Sequence, residues 1–535
     1  MPYLDELVNK TKAEQRGVEG ILEGSKATAQ LHEGPIKPVV EQGPQQHGAP
    51  SSESEKVLIE KYGNVRIYRV KGEALYKYEV PTPHYRGEEK ALIGALIEIA
   101  SKVISPEREV GKSNEQRRFA YYQKILDIID SSPELRVPPA MKEFYADTVT
   151  KEMAGWGLID SLLTDDNLED ILLIGPNCPA YVFHRKYDMM KTNVMFYDDR
   201  DIKDLIDRIA RNVGRHIDIQ SPLLDARLPD GTRVNATVPP ASVNGSTLSI
   251  RKFRADPITA IDQINFGTLN YEAAAFLWLA TDGFGAKPAN IVIAGGTASG
   301  KTTLLNTLAS FVPNNERVLS IEDTAELSLP LEHWVRFETR PPGLEGVGEI
   351  TMDMLVKNSL RMRPDRILVG EIRGEEGHTL FSAMNTGHDG CMGTLHSNSA
   401  KETLVRLSNP PISVPLMMLE SLTFIIMQQR INDRRKGLIR RVTEIAEVIP
   451  TEDQLPKLQM LYQWDPAKDV LHSTGLNSVY LQTLGRYTGF SKATLEEEVK
   501  TRAKILQELN NRNIRSLKEV CSVTQNYILK TRGKI

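Results

Sequence analysis

The run Gly295-Gly-Thr-Ala-Ser-Gly-Lys301-Thr302 has the spacing of a phosphate-binding loop, G-x-x-x-x-G-K-[ST]. Its glycines let backbone N–H groups close around phosphate oxygens without Cβ interference. Lys301 supplies a positive charge for the β- and γ-phosphates of ATP, and the Thr302 hydroxyl a ligand for Mg²⁺. The predicted contact set is Gly295, Gly296, Thr297, Ala298, Ser299, Gly300, Lys301, Thr302 and Thr303. Apolar residues 291–294 precede the loop as a strand. Leu304, Leu305 and Leu308 follow it on a helix, whose N-terminus adds partial positive charge. At ordinary residue frequencies the motif arises by chance on the order of 0.02 times in a chain this long. A bare surface loop is therefore the weaker reading.

Three further segments offer what phosphoryl transfer needs. The apolar run 318–321 leads into Glu322 and Asp323, with Glu326 close behind. A carboxylate at a strand end beside the loop orients or deprotonates the attacking water. Acids in this position also cap helices, and both roles stay open. The run 367–369 leads through Gly370 to Glu371, an apolar strand tipped by a carboxylate that holds Mg²⁺, directly or through water, or polarises the nucleophile. His388 and His396 flank a third apolar run. His396 ends that strand and suits a γ-phosphate sensor or a link to a neighbouring subunit; a structural histidine is the alternative. Cys178, Cys391 and Cys521 are too scattered to form a metal site with these histidines.

These groups require a scaffold that brings 291–294, 318–321, 367–369 and 391–395 together. Such runs alternate with helix-like stretches from 290 to 448, which predicts βαβ units, a mostly parallel sheet covered on both faces, and an α/β fold. Upstream, 65–70 and 75–80 read as strands and 91–104, 116–129 and 142–155 as helices. Residues 171–174 and 180–183 read as strands around a Gly175-Pro-Asn turn. Residues 201–213 form an amphipathic helix with Ile202, Leu205, Ile206 and Ile209 on one face. Residues 233–238 and 247–253 are strand-like. The polar run from Pro257 to Asn270 reads as a hinge or linker. Residues 477–535 read as helical, with Leu495, Val499, Ala503 and Leu506 on one packing face. Residues 1–22 suit a short helix, and 23–55 have a linker composition that predicts disorder. The expected divisions are 1–55, 56–160, 161–257, 258–289 (linker and start of the nucleotide-binding domain), 290–450 (its core) and 451–535 (mostly helical extension).

Apolar residues make up 40% of the 535 and charged residues 25%, with net charge −4. That balance allows a sizeable core and demands neither nucleic acid nor an anionic membrane as partner. The first residues carry no apolar run of a secretory signal. No stretch approaches the ~20 apolar residues that cross a bilayer. The expectation is a cytoplasmic protein that reaches a membrane through a partner. The basic run RINDRRKGLIRR (430–441) lacks the interleaved aromatics of a nucleic-acid stripe. It reads as a solvated face or an anionic-lipid contact. A nucleic-acid translocase or helicase with a similar core is the competing function.

IAGGTASGKTT, SIEDTAEL, RPDRILVGEIRG and TGHDGCMGTLHSNSA occur in the order of the Walker A, Asp box, Walker B and His box segments of the type II/IV secretion ATPase superfamily, which the chain resembles from about Leu168 to Val448. DARLPDGTRVNAT and STLSIRKF resemble that family's N-terminal domain. The stretch from Glu338 to Gly374 is similar to the archaeal branch, which holds the archaellum motor ATPases (FlaI) and GspE-like pilus assembly ATPases. Thr324 stands where many bacterial members have proline, and no four-cysteine zinc module is present; both favour the archaeal branch. The resemblance implies a C-terminal RecA-like P-loop domain, an α+β, PAS-like N-terminal domain and helical extensions. It implies a homo-hexamer at the inner face of the cell membrane, working with a polytopic FlaJ-like platform protein and accessory ATPase-type archaellum proteins, and not with nucleic acid. By matching position it makes Glu322 and Glu371 the catalytic acids and His396 the γ-phosphate sensor. Arg227, Arg233 and Arg251 become candidate arginine fingers that offset charge on the transferred phosphoryl group. Arg340, Arg361, Arg363 and Arg373 are weaker candidates.

Overall fold

A computed structural model describes residues 56–83, 86–104, 114–253, 257–340, 342, 347–451 and 456–532. The helix expected at 1–22 and the linker expected at 23–55 lie outside them. Contacts divide the chain into two units, meeting between residues 254 and 255.

The first unit is built on a nine-stranded sheet in the order β1-β2-β3-β6-β5-β4-β9-β8-β7. Its strands are β1 (Lys56–Tyr62), β2 (Val65–Val70), β3 (Tyr76–Glu79), β4 (Leu168–Leu173), β5 (Pro179–His184), β6 (Asp188–Met195), β7 (Leu223–Arg227), β8 (Arg233–Thr237) and β9 (Thr247–Arg251). The sheet runs across the expected division at residue 160, because β3 pairs with β6 in parallel, Tyr78 opposite Thr192. That pairing joins the early strands to the later ones and could not be read from local pattern. The helix Asp199–Asn212 lays Ile202, Leu205, Ile206 and Ile209 against the sheet. Its N-cap is Asp198, whose carboxylate accepts from Arg200 N–H. Helices Gly87–Val103, Asn114–Ser131 and Lys142–Ala154 gather a separate apolar cluster around Leu96, Ile125 and Val149.

The second unit carries the other nine-stranded sheet, in the order β12-β11-β13-β14-β10-β15-β16-β17-β18. These are β10 (Ile291–Ala294), β11 (Val318–Glu322), β12 (Trp334–Glu338), β13 (Arg366–Ile372), β14 (Met392–Leu395), β15 (Phe424–Asp433), β16 (Gly437–Ile449), β17 (Lys457–Asp465) and β18 (Val470–Ser473). From β12 to β15 every pairing is parallel. From β15 to β18 every pairing is antiparallel. Alternate residues of β10 feed opposite cores: Ile291 and Ile293 join one cluster, Val292 and Ala294 the other. Burial on both faces is what makes such strands continuously apolar. The class is α/β.

Two expected divisions move. Residues 258–270 are not a linker. Thr259 forms a capping box with Asp262 on the helix Ala260–Asn265, with Ile261 buried. The helix Tyr271–Asp282 that follows is buried from Ala273 to its end. The sheet also continues past residue 450, since β17 and β18 extend it. The helices Val479–Thr488, Lys492–Asn511 and Leu517–Arg532 then cover one face through Leu484, Leu506 and Ile528. Among the described residues no helix is long and apolar enough to cross a membrane.

Candidate nucleotide site

Register brings the chemical groups to one end of the second sheet. Ala294 pairs with Leu395, and Ile372 pairs with Leu395 on the other side. The residues that follow, Gly295 and His396, therefore leave the sheet side by side, with Glu371 beside them. Crevices at the carboxyl ends of parallel strands are where α/β folds bind ligands.

Within β13 the partners shift from Val369↔Gly393 to Ile372↔Leu395, so β13 spends one residue more than β14. A bulge of this kind re-aims side chains, and here it falls on Gly370 and Glu371. A Cβ on Gly370 would stand 3.0 Å from Glu322 Cγ, so glycine leaves room for the acid on β11.

The loop itself is tightly seated. A Cβ on Gly295 would lie 2.0 Å from the Gln428 carbonyl oxygen, which no side chain tolerates. Gly300 caps the helix Lys301–Ala309 with φ 97°, a conformation natural to glycine. Gly296, Thr297 and Ala298 are exposed, Ser299 is buried, and Thr302 and Thr303 are half-buried. The buried Ser299 hydroxyl has no hydrogen-bond partner in the protein. Cradle and orphaned hydroxyl together fit an anionic ligand.

Lys301 is 7% exposed, and its Nζ donates to Gly296 O at 2.9 Å. The same Nζ lies 3.4 Å from His396 Nε2, and His396 Nε2 lies 3.1 Å from Glu371 Oε1. Arg373 Nη2 donates to Glu371 Oε2 at 2.7 Å, and its Nη1 to Asp323 Oδ2 at 3.1 Å. One chain of contacts thus runs Lys301, His396, Glu371, Arg373, Asp323. Burial lowers the pKa of the Lys301 ammonium, with Glu371 pulling it back up and Arg373 adding to the fall. Burial and Lys301 also lower the His396 pKa, against Glu371. For Glu371 burial opposes ionisation, but Arg373, His396 and Lys301 outweigh it and hold the carboxyl below its usual range.

Glu322 is built differently. It is 2% exposed, and its Oε2 accepts the backbone N–H of Glu326 at 2.7 Å and of Leu327 at 2.9 Å. Its Oε1 is buried without a partner. Burial lifts its carboxyl to about 7, against the two N–H donors and Arg336. Glu322 is bonded to its own loop, whereas Asp323 joins Glu371 through Arg373. Glu326 serves Glu322 through its N–H.

Of the other expected residues, His388 precedes β14 and lies at its opposite end from His396. Arg340 donates to Gly348 O at 2.7 Å. Arg227, Arg233 and Arg251 belong to the first unit, on β7, β8 and β9. Arg227 pairs with Arg233, and Arg233 with Arg251, so the three stand in one cross-strand row. The row continues to Asp170 on β4, which pairs with Arg251 in register and takes its Nε at 3.1 Å. The role of Gln428 and Arg440 was not anticipated. Gln428 interrupts the apolar run of β15 just where that strand passes the loop, and this polar residue is the one signal in the sequence that could have marked it.

A family model described as "Type II/IV secretion system protein" matches residues 153–461. The uncharacterised protein MJ0781 of Methanocaldococcus jannaschii is 34% identical over an alignment covering 69% of this chain and 75% of that one. Conjugal transfer protein TrbB of Rhizobium radiobacter is 31% identical, covering 46% of this chain and 73% of its own. Among solved structures, the ATPase DotB of Legionella pneumophila is 19% identical with a TM-score of 0.38, covering 65% of this chain and 86% of that one.

Proposed function

Because the chain belongs to the type II/IV secretion system protein family, we propose that it is an ATP-hydrolysing motor. Acting as a homo-hexamer, it powers assembly of an archaeal type IV pilus-like filament or archaellum, and in the archaellum also rotation. The observation that carries the ATPase reading is the chain Lys301–His396–Glu371 beside a glycine cradle. ATP places its phosphates in the loop of residues 295–303. Lys301 and the N–H groups at the helix start neutralise their charge. Glu371, ionised at neutral pH, orients the attacking water or takes its proton. His396, between the ammonium and that carboxylate, makes contact with the γ-phosphate. Glu322, titrating at about 7, is the second acid of the site.

When bound, Mg²⁺ lends charge to the phosphates. Thr302 would hold it, with Glu371 directly or through water. Among the described residues no group of three or more His, Cys, Asp or Glu is arranged for a metal, which suits an ion held largely by substrate oxygens.

The arginine row of Arg227, Arg233 and Arg251 supplies a finger to a neighbouring copy's site. The work is done at the inner face of the cell membrane, peripherally, against a polytopic FlaJ-like platform protein and with accessory archaellum ATPases. The name of the conjugal transfer relative supports a role in transfer. Lys301→Ala should abolish nucleotide binding or turnover, and Glu371→Gln should bind ATP but hydrolyse it at least about 100-fold more slowly. Phosphate release at the wild-type rate from both variants would remove the assignment.

A further inference from the structure

The phosphate loop rests on the hairpin formed by β15 and β16. Met427 pairs with Ala294, so Gln428 passes directly beneath Gly295. A Cβ on Gly300 would lie 2.9 Å from Gln428 Nε2, so the same side chain underlies both ends of the loop. From the second arm, Arg440 Nε donates to Ala298 O at 3.0 Å. Ala298 has φ 57°, a left-handed conformation that an alanine keeps only when its surroundings hold it there.

We propose that Arg440 is a positioning residue for the phosphate loop, fixing the Ala298 peptide so that the loop's donors face inward. The inference rests on the ATPase reading above. In a trans peptide the C=O and the following N–H point in opposite directions. Drawing Ala298 O toward β16 therefore turns Ser299 N–H to the loop interior, where it meets Gly296 O at 3.4 Å. Lys301 Nζ meets the same oxygen at 2.9 Å. Two donors that a phosphate would take are thus held on one carbonyl that phosphate displaces.

Arg440 acts from a rigid base. Its own carbonyl accepts Thr268 Oγ1 at 3.1 Å, and Val442 N–H donates to Thr268 O at 3.0 Å. The next residue, Arg441, is buried against Asp469, at 2.6 and 2.8 Å, and donates to Phe266 O at 2.8 Å. The guanidinium that holds the loop therefore springs from a strand tied to residues 266–268, not from the free tip of the hairpin.

The test uses the full chain and compares wild type, Arg440→Ala and Arg440→Lys. ADP affinity is measured by calorimetry, ATP hydrolysis at steady state, and thermal unfolding without nucleotide. Arg440→Ala should weaken ADP binding and raise KM for ATP by about tenfold, the effect of losing one charge-assisted hydrogen bond. It should leave kcat and the nucleotide-free Tm close to wild type. Arg440→Lys keeps a cationic donor and should recover part of the affinity. Unchanged affinity in Arg440→Ala overturns the inference, as does a loss of kcat and Tm at constant KM, which marks a merely structural residue. A wild type that neither binds nor hydrolyses ATP overturns the ATPase reading, and this inference with it. A wild type that does both, beside an indistinguishable Arg440→Ala, overturns the inference alone.

Discussion

Arg373 grips Glu371: its Nη2 stands 2.7 Å from Glu371 Oε2, just past the end of β13. The other carboxylate oxygen faces His396 at 3.1 Å. Glu371 is thus held from both sides by groups that favour its charged form. This contact lets a half-buried carboxylate remain ionised and available as a base.

Arg373→Ala should weaken that hold. Loss of an adjacent cation raises a carboxyl pKa, and Arg373 is the leading influence that lowers this one against burial. Hydrolysis that requires ionised Glu371 should then fail at a higher pH on the acid side. The check is a pH–rate profile of kcat for wild type and variant. An acid limb that stays in place, or moves to lower pH, would disprove the coupling.

Glu322 makes an opposite prediction, about stability. Its folded carboxyl titrates at about 7, above the ~4.3 of an unfolded glutamate. Between those values the folded state binds more protons than the unfolded state. Stability therefore falls as pH rises from ~4.5 to ~7 and is level above. Glu322→Gln keeps an acceptor for Glu326 and Leu327 N–H but has no proton to lose. It should match wild type near pH 4 and exceed it at pH 8 by roughly 3 kcal/mol in denaturant unfolding. An advantage that grows toward low pH would contradict this account.

The arginine row predicts complementation. If Arg227, Arg233 or Arg251 acts in a neighbour's site, the matching alanine variant should bind nucleotide normally and turn over slowly. Mixed with Lys301→Ala, it should regain turnover, because a ring of both chains contains sites with an intact loop and an intact finger. Specific activity should also rise with protein concentration. Mixtures no more active than their parts, for all three arginines, would remove the proposed role.

What the sequence disclosed follows from how local each feature is. The phosphate loop is legible because its donors are consecutive, and the strand and helix beside it have clear periodicity. Glu371 is legible as a strand-end acid, but its aim is not. That aim comes from a bulge against β14, a pairing between residues more than 20 apart. The arginines were visible singly, while their common row needs the register of three strands. Residues 258–270 looked like a linker because they are polar, yet Gln263 is buried and donates to Thr307 Oγ1 at 2.8 Å. A polar residue whose partner lies 44 positions away cannot be told from a solvated one by composition. Gln428 and Arg440 escaped for the same reason.

The last prediction concerns how the final helices are fastened to the second unit. Arg502 is fully buried, with Nη1 2.5 Å from Asp282 Oδ2 and Nε 2.9 Å from Glu498 Oε1. Its guanidinium lies 4.8 Å from the Trp278 ring centre and 5.3 Å from that of Phe284. Tyr527 OH completes the cluster on Glu498, at 2.9 and 3.0 Å. A buried ion pair adds little over an apolar pair of equal shape, because desolvation offsets attraction. Removing one partner is another matter, since it strands a charge. Arg502→Met should therefore cost about 3 to 5 kcal/mol, and adding Asp282→Asn and Glu498→Gln should return much of it. The exposed pair Arg512–Glu508, 2.7 Å apart, is the control: Arg512→Ala should cost no more than about 1 kcal/mol. Equal losses for Arg502→Met and Arg512→Ala in thermal unfolding would mean that the cluster is solvated and that apolar packing alone fastens these helices.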